Sequence, residues 1–169
     1  MTKYAVNPVP LNLQIGPEFN LWTAGIATTF PSANSARLDA FQVRRPVVVS
    51  TAWFRVVTQS GNMDIGIYSD AGSLFASTGS FAVPAAAPSL SRAFAAGAGV
   101  ILVPGVRYWR GFACDNAVAV FLNYVGVQTP APPGYITSGA VAASFPLPPT
   151  IAIPTASPAS NILLHASFT

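Results

Sequence analysis

Punctuation is what most limits this chain. It spreads 16 prolines and 13 glycines over 169 residues, and between them the apolar residues recur at a period near two rather than 3.6. Proline removes a backbone donor and clashes inside a helix, while glycine weakens a helix by about 1 kcal/mol relative to alanine. Alternation at period two marks a strand with one buried face. Even the alanine-rich stretch 93–98 contains Gly97 and runs into Gly99, which leaves room for one helical turn at most. The expected fold class is therefore all-β: a two-sheet antiparallel β-sandwich, jelly-roll-like, with extended N- and C-terminal arms.

The pattern divides the chain into an N-terminal arm over 1–18, a sandwich body over 19–125 and a proline-rich extension over 126–169. A terminal strand at 161–168 either completes the sandwich or reaches a neighbour. Within the body, strands are expected in 19–30, 38–43, 47–58, 63–68, 74–77, 90–94, 100–103, 107–114 and 118–124. Loops fall at 31–35 and 84–88. The run 47–58 reads as one strand, with Val48, Ala52, Phe54 and Val56 on the core face and Val49, Thr51, Trp53 and Arg55 on the other. Met63, Ile65 and Ile67 alternate with Asp64, Gly66 and Tyr68, the pattern of a half-buried strand. Gly66 leaves space there for an aromatic ring or a crossing loop. Ser69-Asp70-Ala71-Gly72 has the composition of a hairpin turn, and Gly72 suits its left-handed position. Pro104-Gly105 is a second turn, with proline presetting φ and glycine accepting φ > 0. Asn34-Ser35, Gly61-Asn62 and Asp115-Asn116 mark others. In the extension, 126–149 reads as loop, with Ile136 and 142–145 as short pairings.

Charge is scarce. Only 8% of residues are Asp, Glu, Lys or Arg, against about 25% in ordinary soluble domains. The eight cations, Lys3, Arg37, Arg44, Arg45, Arg55, Arg92, Arg107 and Arg110, are scattered, and the net charge is only +3. Nucleic-acid binding needs a clustered basic stripe and is not expected. No membrane span is expected either, because prolines interrupt the long uncharged run after Asn116. The first eight residues hold no apolar signal core. Cys114 is the single cysteine; it excludes an intrachain disulfide and fits a small buried thiol.

Catalytic chemistry finds few carriers. His165 is the only histidine, in a strand-like setting, and pairs with nothing in sequence except a remote Cys114. The five carboxylates are Glu18, Asp39, Asp64, Asp70 and Asp115. Asp70 and Asp115 sit in turns, where aspartate caps the backbone. Calcium held by Asp39, Asp64 or Asp115 would need six to eight oxygens that no sequence cluster supplies. No enzyme activity, cofactor or metal is expected.

Aromatic residues beside arginines are the remaining signal. Trp53 has Arg55 two residues on, and Trp109 lies between Arg107 and Arg110. Buried tryptophan and arginine anchors dominate protein interfaces, so Trp53, Arg55, Arg107, Trp109 and Arg110 are the expected contact residues. The competing use of Trp22, Trp53, Trp109, Tyr68 and Tyr108 is a stacking platform for a host glycan.

Three segments carry a family resemblance. They are Gly61-Asn62-Met63-Asp64-Ile65-Gly66-Ile67-Tyr68-Ser69-Asp70-Ala71-Gly72 with the following Leu74 and Ser77-Thr78-Gly79-Ser80; Leu102-Val103-Pro104-Gly105-Val106-Arg107-Tyr108-Trp109; and Ala143-Ser144-Phe145-Pro146-Leu147-Pro148. In this order they resemble the jelly-roll-like virion structural proteins of tailed phages. The stretch 84–99, rich in alanine and proline, departs from that pattern. The resemblance implies a capsid decoration, head-fibre or tail accessory subunit, made in the host cytoplasm and housed in the virion. A homo-oligomer, dimer or trimer, is expected with it, three-fold packing being favoured because many capsid attachment sites are three-fold, bound to the major capsid protein or to tail proteins. The alternative it leaves open is a tail or fibre module that binds a receptor or carbohydrate through exposed aromatics. Low charge agrees with the assembly reading, because neighbouring subunits cover apolar surplus.

Overall fold

The computed structural model describes residues 26–43, 45–95, 99–124, 138–141, 144–155, 163–164 and 166–168. The arm over 1–18, Trp22, Ile136 and His165 lie outside them. The described residues form strands β1 (Ile26–Thr29), β2 (Ser35–Phe41), β3 (Val47–Val49), β4 (Thr51–Thr58), β5 (Asn62–Ser69), β6 (Leu74–Ser77), β7 (Phe81–Ala82), β8 (Ala87–Ala93), β9 (Val100–Leu102), β10 (Tyr108–Cys114), β11 (Val120–Tyr124), β12 (Ser138–Val141), β13 (Leu163–Leu164) and β14 (Ala166–Phe168).

All the pairings are antiparallel. One six-stranded sheet runs β1-β11-β4-β14, with β13 added to β11 and β8 to β4. The other runs β12-β2-β10-β5-β6, with β7 added to β5. These are the first and second sheets below. A third sheet contains only β3 and β9, so the arrangement is an open all-β sandwich with a small extra ribbon.

The main core joins the two large sheets. Phe54, Val56 and Phe121 from the first meet Ile65, Ile67, Tyr108 and Phe112 from the second. Phe112 and Phe121 stack edge to face with ring centroids 4.8 Å apart, the arrangement their ring quadrupoles favour. The terminal segment belongs to this body. β13 pairs with β11 and β14 with β4, and Phe168 packs on Phe41 and Phe94.

Two strand expectations are corrected. The run 47–58 is not one strand: the chain breaks at Ser50, and β3 leaves to pair with β9. The alternation slips by one there, so that Val49 is buried and Val48 is 63% exposed, the reverse of the single-strand assignment. Ala52, Phe54 and Val56 do face the core. Of the pairing expected at 142–145, residues 142–143 lie outside the described residues; β12 pairs with β2 just before them, and the Ser144 N–H donates to the Asn34 carbonyl at 2.9 Å just after them.

β5 is also not half-buried: residues 63–68 are buried on both faces. A second core covers the outer face of the second sheet, where Leu38, Tyr68, Trp109 and Ala113 lie under Leu147 and Ile151. These last two come from the segment 144–153, a strap without strand structure of its own. Leu147 enters a slot made by two glycines that face each other across β5 and β10. A Cβ on Gly66 would lie 2.9 Å from its Cδ1, and one on Gly111 3.2 Å from its Cδ2. The space at Gly66 thus holds the crossing loop that the sequence suggests.

Candidate interaction surface

The hairpin between β5 and β6 turns through Gly72 at φ 85°. Beside it, the Asp70 carboxylate accepts hydrogen bonds from Arg107 Nε at 2.6 Å, Arg107 Nη2 at 3.1 Å and Trp109 Nε1 at 2.9 Å. The guanidinium also lies over the Trp109 ring, 5.5 Å from its centroid. Arg107, helped by the indole N–H, holds the Asp70 carboxyl below the usual carboxylate range. Two of the expected contact residues therefore fasten a turn, Arg107 at the surface with its side chain a third exposed. Trp109 is fully buried, so it is not an anchor on the surface of this chain.

Arg110 points elsewhere. Strand alternation puts it on the inner face of the second sheet, directly across from Asp39 on β2. Its Nη2 donates to Asp39 Oδ2 at 3.0 Å, and both side chains are nearly enclosed. Such a pair gains little net stability, because desolvation opposes the attraction, but removing one partner is costly. Trp53 and Arg55 occupy a third place, half-buried on the outer face of the first sheet. Trp53 is in register with Ser91 on one side and Ser167 on the other. Arg55 borders a shallow cleft of about 270 Å³ with Val56, Val57, Ala86 and Ala87. The five residues expected to act together are thus split among a turn, the sandwich interior and an outer face.

Among the described residues, the ribbon of β3 and β9 carries two of the three most exposed large apolar side chains, the third being Val118. Val48 and Ile101 are cross-strand partners, and they are 63% and 66% exposed. Val103 and Val106 continue the apolar surface into the Pro104-Gly105 turn. Phe75 borders it: its ring lies 6.0 Å from that of Tyr108, whose hydroxyl accepts the Val103 N–H at 3.0 Å. Gly99 lets the chain pass close to Val48, because a Cβ there would collide with Val48 Cγ1. No charged residue occurs in 46–54 or 93–106.

No family model, curated protein or solved structure matches this chain.

The aromatic platform is dispersed. Tyr68, Tyr108 and Trp109 are all buried, so among the described residues only Trp53 of that set reaches water. The carboxylates do not converge either. Asp39 faces the sandwich interior. Asp64 is buried on the opposite face of the same sheet, where it accepts bonds from Thr78 Oγ1 at 3.1 Å and the Leu147 N–H at 3.1 Å. Asp115 caps the neighbouring turn, accepting from the Asn62 N–H at 2.9 Å and Asn62 Nδ2 at 2.6 Å. Among the described residues no three His, Cys, Asp or Glu side chains stand close enough to hold a metal ion. Cys114 is buried, and burial pushes its thiol up, away from the thiolate that nucleophilic chemistry needs.

Sequence reasoning missed the ribbon because it took β3 and β4 for one strand. Its one available signal was a run of three β-branched residues, Val47-Val48-Val49, with no charge from Pro46 through Phe54.

Proposed function

We propose that this chain is a structural subunit of a tailed-phage particle, of the capsid-decorating kind. Its body is a jelly-roll-type sandwich, and it works by packing against copies of itself and against major capsid or tail proteins rather than by catalysis. The observation that carries this reading is the bare Val48–Ile101 ladder on a chain with 8% charged residues. Exposed apolar surface rimmed by polar residues marks a place where another protein sits.

The family-like segments add a second support. All three meet on the outer face of the second sheet: Asp70 of the first bonds Arg107 and Trp109 of the second, and Leu147 of the third sits over Gly66 and Gly111. The likeness therefore falls on residues that make one packed unit.

Proteomic quantification of purified particles tests the proposal. The chain is expected in many copies per particle, at a fixed ratio to the major capsid protein. Its absence from purified particles, with abundant free chain in the host lysate, would overturn the proposal.

A further inference from the structure

We infer that the β3–β9 ribbon is the contact between two copies of this chain, meeting face to face across a two-fold axis. The inference rests on the assembly reading above and names its surface. A two-fold contact uses the same patch on both partners, so the patch must complement itself. Charge decides whether it can. A patch carrying net charge repels its own copy, whereas an uncharged apolar ladder meets its copy without any like-charge opposition. Both strands satisfy this condition over their whole length, since 46–54 and 93–106 hold no Asp, Glu, Lys or Arg.

Charge returns at the rim, where Arg45 is exposed two residues before β3 and Arg107 is closed onto Asp70 with two hydrogen bonds. A charged partner would have to desolvate its own groups against Val48, Ile101, Val103 and Val106 with no counter-charge to receive them. A copy of the ribbon brings only aliphatic side chains to the same place. The net charge of +3 per chain offers little long-range resistance to pairing. The ladder also lies across the ribbon in register, Val48 against Ile101, so a two-fold axis through it stacks four β-branched side chains into one small apolar core. The smallest assembled unit is then a pair, the dimer expected beside the favoured three-fold packing.

Sedimentation of the full chain tests this, comparing wild type with Val48→Lys/Ile101→Lys. Wild type is expected as a species of about twice 17.5 kDa or a multiple of it. The double lysine variant is expected as a monomer, with an unchanged β-sheet circular dichroism spectrum. Val57→Lys, exposed on β4 outside the ribbon, is expected to keep the wild-type mass. The milder Val48→Thr/Ile101→Thr, which keeps β-branching, weakens pairing by about tenfold or more if these contacts are central; it serves if the lysine variant does not fold. A wild-type oligomer that survives both ribbon variants would overturn the inference and leave self-assembly standing. A strictly monomeric wild type would overturn the inference and self-assembly together.

Discussion

Two surfaces of this molecule began with the same problem and met it differently. The outer face of the second sheet carries Leu38, Tyr68 and Trp109, and the chain covers it with its own strap 144–153. The β3–β9 ribbon carries Val48 and Ile101, and no described residue covers it. Four of the bonds that hold the strap run to β5, β6 and the turn between them. The Leu147 N–H donates to Asp64, and the Tyr68 hydroxyl to the Pro148 carbonyl at 2.8 Å. The Leu74 N–H donates to the Pro149 carbonyl, and the Ile151 N–H to that of Gly72, each at 2.9 Å. Low charge alone is thus a blunt guide to assembly, because part of the apolar surplus is satisfied within the chain. The informative surface is the one left over.

Truncating the strapped face should have the largest effect. Trp109→Ala removes a fully buried ring and its bond to Asp70, and is expected to lower stability by about 3–5 kcal/mol in urea unfolding. A loss below 1 kcal/mol would mean that the strap does not bury that face in solution. Gly66→Ala comes next. Its Cβ would lie 2.7 Å from the Ala76 carbonyl oxygen and 2.9 Å from Leu147 Cδ1, so about 1–3 kcal/mol of overpacking is expected. Shortening the knob with Leu147→Ala in the same chain should relieve the part due to the strap, and a double-mutant cycle reads that coupling. Strict additivity would remove Leu147 from the slot.

A smaller effect separates the buried latch from ordinary surface carboxylates. Burial raises the Asp64 carboxyl pKa despite the bonds from Leu147, Thr78 and Ser77. Between the ordinary carboxylate pKa and that raised value, the folded chain holds a proton the unfolded chain has released. Stability therefore falls as pH rises through this window and recovers as pH drops. Asp70 acts in the opposite sense, since its lowered pKa gives stability above the ordinary value that fades as pH falls through the lowered one. Asp64→Asn should flatten the first slope and leave the second, as measured by unfolding at a series of pH values. An unchanged profile would show that Asp64 carries no such burden. The smallest effect belongs to the ribbon. Val48→Lys, assayed at concentrations where the chain is dispersed, is expected to shift folding stability by no more than about 0.5 kcal/mol. A large loss would mean that the ladder is structural.

Much of the architecture was legible because turns and alternation are local. Gly72 and Gly105 take positive φ where the two turns were expected, and the strands around them follow. The phase slip at Ser50 was not legible, since alternation on both sides of it continues without a gap in polarity. Nor was the burial of β5 on both faces, because the strap that covers Asp64 and Tyr68 lies some 80 residues further on. The same distance rule explains the contact residues. Arg107, Trp109 and Arg110 look like an exposed cluster in sequence, but Asp70 and Asp39 claim them from 37 to 71 residues away. Adjacent residues on a strand face opposite sides, so neighbours in the sequence became members of different layers.

Hydrogen–deuterium exchange over a range of protein concentrations tests the contrast most directly. Peptides spanning 46–50 and 99–106 are expected to exchange more slowly as concentration rises, because a second chain covers the ribbon. Peptides spanning 144–151 are expected to exchange at a rate independent of concentration, because their cover is internal. Ribbon exchange that stays constant from dilute to concentrated solution would contradict the claim that this surface is completed by another copy.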